Sequence, residues 1–134
     1  MSQPTTVKPP AQSLSILEVD DQVSVLRELV DLLEAECQGV QVFQSADPTR
    51  ALAIARAERP TVVLTDWDMP GLDGLSLVHA LTSDQATADI GCLICTGKHV
   101  GSAELRRALE LGAKDYLRKP IESVELSARF TVAL

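Results

Sequence analysis

The chain has 134 residues, of which 46% are hydrophobic and 23% are charged, as in a single globular domain. Its net charge of −7 argues against gripping a phosphate backbone, so we expect no direct nucleic-acid binding. No apolar run approaches the ~20 residues that span a bilayer, and the polar start lacks the apolar stretch of a signal peptide. We therefore expect a cytoplasmic domain with no membrane partner.

Five apolar runs alternate with helix-like stretches after a polar leader at residues 1–13, and residues 14–134 form the predicted domain. The predicted strands are Ser15–Val19, Val40–Ser45, Thr61–Thr65, Gly91–Cys95 and Asp115–Leu117. The predicted helices are Gln22–Glu36, Pro48–Glu58, Gly74–Ser83, Ser102–Leu111 and a last one from Ser123 to about Leu134. This alternation predicts a parallel sheet with right-handed crossovers and helices on both faces.

Polar residues stand where four of the apolar runs stop. Asp20 and Asp21 follow the first strand, Asp66 the third, Thr96 the fourth and Lys119 the fifth. Ligands of such sheets bind beyond the carboxyl ends of the strands, so these side chains are expected to share one pocket.

The chemistry of this predicted pocket suits phosphoryl transfer. Three neighbouring carboxylates without a counter-ion would raise at least one pKa, and a hard cation such as Mg²⁺ relieves the repulsion. A carboxylate can also attack phosphorus, while an ammonium and a hydroxyl stabilise the charge on the transferring group. The sequence thus predicts Mg²⁺-dependent phosphoryl transfer to a carboxylate.

The chain has three cysteines, Cys37, Cys92 and Cys95. An odd number, in a chain that we expect to be cytoplasmic, argues against a disulfide framework. Cys92 and Cys95 have the spacing of a redox pair. Residues three apart on a strand point to opposite faces, however, so we predict two buried apolar side chains instead.

The strings ILEVDD, VVLTDWDMPGLDG, LICTG and GAKDYLRKP occur in this order and resemble the receiver domain of bacterial two-component response regulators. The resemblance covers about residues 14–134. It implies a flavodoxin-like, doubly wound (βα)5 fold, with a five-stranded parallel sheet of order 2-1-3-4-5. It also implies a phosphorylation-activated signalling switch, not an enzyme that acts on a metabolite.

The resemblance implies a role for each polar residue of the pocket. Asp66 would accept a phosphoryl group from a sensor histidine kinase or phosphotransfer protein. Asp20, Asp21 and Asp66 would hold Mg²⁺, or Mn²⁺ in its place, together with the backbone carbonyl of Asp68. Lys119 would bind a phosphoryl oxygen.

The resemblance further implies a switch. Thr96 would move towards the phosphoryl group and Tyr116 would turn inward behind it. This pair would change the surface formed by the fourth helix, the fifth strand and the fifth helix, which controls an output domain or partner protein. The bond between Lys119 and Pro120 would be a cis peptide bond.

Three further residues are expected to modulate the site. Asp68 and Lys98 carry opposite charges on neighbouring loops, and we predict that they pair across the pocket mouth and slow hydrolysis. The alternative is two solvated side chains. Trp67 follows the acceptor directly and is expected either to shield the pocket or to cover the helix beneath it.

Residues 98–119 hold six Lys/Arg against three Asp/Glu, although the whole chain is acidic. This basic segment is either a solvated face or a surface for a protein partner, including a second copy of the chain. Arg106 and Arg107 are the residues that would test the second reading.

Two other functions fit parts of the pattern. The Asp66-Trp67-Asp68 sequence is similar to the Asp-x-Asp pair of haloacid-dehalogenase phosphatases, but Pro70 occupies a position where that class has Thr or Val. A degenerate receiver that serves only as a binding platform is the other alternative. The sequence ends at Leu134, as expected of a stand-alone receiver or of a piece of a longer regulator.

Overall fold

The computed structural model describes residues 14–36, 39–97, 101–119, 121, 122, 125 and 128. The predicted leader therefore lies outside the described residues, as does most of the predicted last helix. Among the described residues, no helix combines the length and apolar character needed to cross a bilayer.

Strands and helices alternate along the described chain. The strands are β1 (Ser15–Val19), β2 (Gln41–Ser45), β3 (Val62–Asp66), β4 (Gly91–Thr96) and β5 (Asp115–Arg118). The helices are α1 (Val23–Glu36), α2 (Pro48–Glu58), α3 (Gly74–Thr82) and α4 (Ser102–Glu110). Each of these bounds lies within one residue of its prediction.

All five strands are parallel, and their order in the sheet is β2-β1-β3-β4-β5. This order confirms the predicted doubly wound fold. It also makes β1 and β3 neighbours at the centre of the sheet, with Val19 opposite Thr65 in the register. The residues that come directly after this pair, Asp20 and Asp66, are consequently brought side by side.

The ends of α2 show how local sequence signals determine where a helix begins and ends. The Asp47 side chain accepts a hydrogen bond from the Thr49 backbone amide at 2.9 Å, which satisfies one of the unpaired N–H groups of the first turn. Pro48 occupies the first turn, where its missing N–H is harmless. At the other end, Arg59 adopts a left-handed conformation with φ of 47°.

The two faces of the sheet bury separate apolar clusters. One face packs against α2, α3 and α4, and its cluster includes Leu17, Val63, Cys92, Ile94, Ala51, Leu77 and Ala108. The other face packs against α1, and its cluster includes Ile16, Leu64, Cys95, Leu117, Leu29 and Leu33. The helices thus lie on both faces, as predicted.

Cys92 and Cys95 lie in opposite clusters, which confirms that they do not form a redox pair. Burial raises the pKa of both thiols, that of Cys92 to about 12. Because the thiolate is the reactive form, both side chains are chemically inert at neutral pH. Cys37 lies outside the described residues.

Glu18 is a carboxyl group inside the apolar layer under α1. It is fully buried, and neither carboxylate oxygen has a hydrogen-bond partner among the described residues. Burial raises the pKa of Glu18 to about 8; the nearby Gln44 amide opposes this shift in part, and the charge of Asp20 adds to it. The Gln44 side-chain nitrogen instead donates to the Leu26 carbonyl at 3.1 Å.

This burial predicts a pH-dependent stability. The unfolded chain releases the Glu18 proton near pH 4.5, whereas the folded chain holds it to about pH 8, so the free energy of unfolding falls as the pH rises through that window. We expect wild type to lose roughly 3 kcal/mol of stability between pH 5 and pH 8 through this group.

Urea unfolding of wild type and Glu18→Gln in EDTA, at several pH values, would measure the contribution of Glu18 to the free energy of unfolding. The variant should equal or exceed wild type in stability at pH 8 and lose that advantage towards pH 5. Glu34→Gln, which changes an exposed carboxyl of α1, serves as the control. Parallel pH profiles for wild type and Glu18→Gln would contradict the prediction.

Candidate functional site

Three carboxylates meet at the carboxyl edge of the sheet, as predicted. Asp20 follows β1, Asp66 is the last residue of β3, and one oxygen from each of these and from Asp21 lies within 4.8 Å of the others. Asp20 is 2% exposed and Asp66 9%, whereas Asp21 faces solvent. Asp21 is thus the most accessible carboxylate of the cluster.

Lys119 joins two of these carboxylates. Its Nζ donates to Asp20 Oδ2 at 2.7 Å and to Asp66 Oδ1 at 3.1 Å. Its backbone amide donates to the Thr96 carbonyl at 2.8 Å, which extends the pairing of β4 and β5 up to the site. Since both carboxylates are largely desolvated, these ion pairs contribute more than pairs on an open surface.

The pKa values of Asp66 and Lys119 follow from burial and pairing. Burial raises the pKa of Asp66, the Lys119 hydrogen bond partly offsets this, and the charge of Asp20 raises it further. We predicted that repulsion between carboxylates would raise a pKa in this cluster, but desolvation is the larger cause of the raised pKa of Asp66. Burial alone would lower the pKa of Lys119; its hydrogen bonds to Asp20 and Asp66 outweigh burial and raise it.

The donor set of the site fits a hard divalent cation. Carboxylate oxygens are the ligands that Mg²⁺ and Mn²⁺ take in proteins, and a cation would relieve the cost of keeping Asp20 and Asp66 ionised in a partly desolvated site. The three carboxylate oxygens are also close enough to one another to bind the same ion.

Thr96 and Tyr116 lie on one face of the sheet. Tyr116 is opposite Ile94 in the register of β4 and β5, and Thr96 is two residues further along β4. Because side chains alternate along a strand, Thr96 and Tyr116 both face the side that α2, α3 and α4 cover. Thr96 is 2% exposed, and Tyr116 is half-buried against that cluster.

Trp67 is half-buried and packs against the cluster under α2, α3 and α4. Of the two expected roles, this packing favours covering the helix over shielding the pocket. Asp68 is exposed. Lys98 and Pro120 lie outside the described residues, so the Asp68–Lys98 pair and the cis peptide bond stay predictions.

Gly74, at the start of α3, is a site residue that the sequence reading missed. A Cβ atom there would overlap the Asp66 carbonyl oxygen and lie 3.0 Å from Trp67 Cα. The Gly74 amide donates to the Trp67 carbonyl at 2.8 Å, and the neighbouring Asp73 side chain caps α3 by accepting from the Ser76 amide at 2.8 Å. The Asp-Gly pair after the acceptor strand was the available signal for this tight loop.

The sequence profile of the response regulator receiver domain matches residues 16–131. The chain belongs to this family. Receiver domains are phosphorylation-activated signalling switches that bind Mg²⁺ in an acidic pocket and interact with histidine kinases and output domains. This assignment replaces the haloacid-dehalogenase alternative.

Named relatives of this receiver domain differ in length. Protein PilH of Pseudomonas aeruginosa is 37% identical over 111 residues, which cover 83% of this chain and 89% of PilH. The phosphate regulon regulator PhoB of the same species is 32% identical over 120 residues, covering 90% of this chain and 51% of PhoB. The cyclic di-GMP phosphodiesterase response regulator RpfG of Xanthomonas campestris is 38% identical over 117 residues, covering 87% of this chain and 30% of RpfG. The chain thus spans about half of PhoB and less of RpfG.

Solved receiver structures share the fold. The Vibrio cholerae chemotaxis protein CheY4 superposes with a TM-score of 0.82 at 26% identity, over 90% of this chain and 98% of that one. A response regulator receiver domain from Clostridium thermocellum gives a TM-score of 0.79 at 30% identity, over 90% and 93%.

The close approach at Gly74 predicts that Gly74→Ala distorts the acceptor loop. The added methyl group must push α3 away from Asp66, at a cost of about 1–3 kcal/mol in the free energy of unfolding. Gly97→Ala is the matched control at the same edge, because the nearest atoms to a Cβ there are 4.0 Å away. Chemical unfolding and Trp67 fluorescence should change for Gly74→Ala much more than for Gly97→Ala; equal effects would contradict the prediction.

Proposed function

We propose that this receiver domain accepts a phosphoryl group on Asp66 from a partner histidine kinase or phosphotransfer protein and later hydrolyses it slowly. The contact that carries the proposal is the Lys119 ammonium lying between the carboxylates of Asp20 and Asp66. It supplies a cation where a phosphoryl group on Asp66 would bring new negative charge.

The acidic cluster supports Mg²⁺ binding by Asp20, Asp21 and Asp66, with the Asp68 backbone carbonyl as a further ligand, or Mn²⁺ binding in its place. Bound there, the ion would neutralise charge on the phosphoryl oxygens. Both Asp20 oxygens already have partners: Oδ1 accepts from the Gln22 amide at 2.9 Å and Oδ2 from Lys119. These contacts hold the Asp20 carboxylate in place before a metal arrives.

In the proposed reaction, an Asp66 carboxylate oxygen forms a bond to phosphorus as the bond to the donor's imidazole nitrogen breaks. The donor imidazole leaves with the electron pair of that bond and takes up a proton. Lys119, hydrogen-bonded to Asp66 beforehand, needs only a small displacement to contact a phosphoryl oxygen. The low exposure of Asp66 limits the approach of water, which favours a slow hydrolysis.

The proposed switch uses Thr96 and Tyr116. The Thr96 hydroxyl, at the end of β4, would donate to the phosphoryl group, and Tyr116, two positions back on the same face, would fill the space behind it. Reversing a 99:1 equilibrium between two conformations requires about 5.5 kcal/mol of differential stabilisation. Several charge-assisted hydrogen bonds to a new dianion are of that order.

The proposed output surface combines α4 and β5 with the segment that follows. Arg106 and Arg107 are exposed there, and Leu109 is 45% exposed, a large fraction for a leucine. An apolar side chain flanked by arginines on an acidic chain suits a protein partner, an output domain or a second copy of this chain.

We expect Trp67 fluorescence to respond saturably to Mg²⁺ and then to beryllofluoride, a phosphoryl mimic. Asp66→Ala should lose the beryllofluoride response, because the acceptor oxygen is gone. Asp89→Ala, an exposed carboxylate elsewhere, is the control and should respond like wild type. If well-folded wild type responded to neither ligand, in fluorescence or in calorimetry, the result would contradict the proposal and favour the degenerate receiver.

Charge reversal tests the output surface. With Arg106→Glu and Arg107→Glu combined, we expect self-association or partner binding of the beryllofluoride-treated protein to weaken at least tenfold, with Mg²⁺ binding unchanged. Arg50→Glu, an exposed arginine of α2, is the control. Sedimentation and partner titration that show the double variant equal to wild type would place the output elsewhere.

A further inference from the structure

Helix α4 is held differently at its two ends. Ala108 is its one buried residue, so little of the helix is fixed by packing. At the N-terminal end, the Gly101 amide donates to the Glu104 carboxylate at 3.1 Å, a contact between two residues of the same turn. This capping contact joins two residues of the same helix end, so it does not attach the N-terminal end to a neighbouring element.

The C-terminal end of α4 is fastened to α3. The Thr82 hydroxyl lies 3.0 Å from the Leu111 carbonyl, which directly follows α4. Gly112 has a φ of 119°, and a Cβ atom there would come within 2.5 Å of Thr82 Cγ2. Glycine at this position therefore lets the chain pass directly over Thr82.

The segment after α4 continues this attachment into the sheet. The Ala113 amide donates to the Ala108 carbonyl at 3.0 Å, and the Lys114 amide donates to the Cys92 carbonyl of β4 at 2.7 Å. Ala113 is itself buried. The C-terminal end of α4 is thus tied to both α3 and β4.

The contact between Thr82 and Leu111 is suited to rotation. The Thr82 hydroxyl is also 3.0 Å from the Val78 carbonyl and 3.2 Å from the His79 carbonyl. A hydroxyl has one proton, so it donates to one of these three carbonyls at a time. The hydroxyl can therefore exchange between the Leu111 carbonyl and the carbonyls of its own helix without being left unpaired, so a change in the angle between the helices does not leave it without an acceptor.

Space for such a rotation exists between α3 and α4. A groove of about 410 Å³ lies between them, lined on the α3 side by residues that include Asp73 and Leu75, and on the α4 side by Arg107 and Leu111. A helix held at Leu111 can change the width of this groove at the end near Asp73.

We propose that Thr82 is the pivot of α4: the C-terminal end of the helix stays on α3 while its N-terminal end, which follows Thr96 in the chain, moves when the switch operates. The movement rests on the proposed function, whereas the attachment at Thr82 does not. Thr82 is a positioning residue in this scheme, since it contacts neither the phosphoryl group nor the metal.

Hydrogen exchange of the whole protein without ligand tests the attachment. Thr82→Val keeps the shape but removes the hydroxyl; we expect the Gly112 and Ala113 amides to exchange about two- to tenfold faster, the range for one lost hydrogen bond. The Leu105 amide of the first turn should be unchanged, and Thr82→Ser should restore most of the protection. Thr87→Val removes a hydroxyl that donates to Leu81, not to α4, and is the matched control.

Two results would overturn the attachment: acceleration spread evenly over α4 in Thr82→Val, or exchange at Ala113 identical to wild type. Exchange with Mg²⁺ and beryllofluoride then tests the movement. In wild type, protection should change at Leu105 and stay constant at Ala113, whereas in Thr82→Val the change should reach Ala113. An even change along α4 in wild type would refute the pivot, and failure of beryllofluoride to alter Trp67 fluorescence would count against the proposed function.

Discussion

The ammonium of Lys119, held between Asp20 and Asp66, is the interaction on which the site depends. Parallel strands bring their carboxyl ends to one edge, and the order of this sheet sets two poorly solvated carboxylates next to each other. Lys119 follows β5, which β4 separates from β3, so its side chain has to cross the end of β4. The stem passes Gly97, where a Cβ atom would lie 4.0 Å from it. A long side chain is therefore needed to reach both carboxylates from the end of β5.

Burial has opposite consequences at two carboxyl groups near the carboxyl end of β1. At Asp20, burial strengthens the electrostatic attraction to Lys119, and this attraction offsets the cost of removing the carboxylate from water. At Glu18, two residues earlier, burial isolates a carboxyl with no hydrogen-bond partner among the described residues, which costs stability at neutral pH. Within the part of the chain that the structure describes, a buried carboxyl group without a hydrogen-bond partner thus lies directly beneath the acidic edge.

Much of the fold could be predicted because its signals are local. Asp47 and Pro48 begin α2 through a cap and a preset φ, and apolar runs of strand length give the strands. The meeting of Asp20 and Asp66 followed from the parallel sheet. The bridge from Lys119 to Asp20 depends on strand order and side-chain reach, which no local pattern contains. The approach of Gly74 to Asp66 and the lone carboxyl of Glu18 likewise depend on what packs above them, although a charge within an apolar run was a visible sign.

The bridge also has a consequence for synthesis. Lys119 is 99 residues from Asp20 and 53 from Asp66 along the chain, and β5 must dock before its ammonium arrives. A nascent chain on the ribosome would already hold both carboxylates but lack the cation that neutralises them. A chain that ended before β5 would thus present Asp20 and Asp66 without the cation that pairs with them, so the ion-paired site requires the complete sheet.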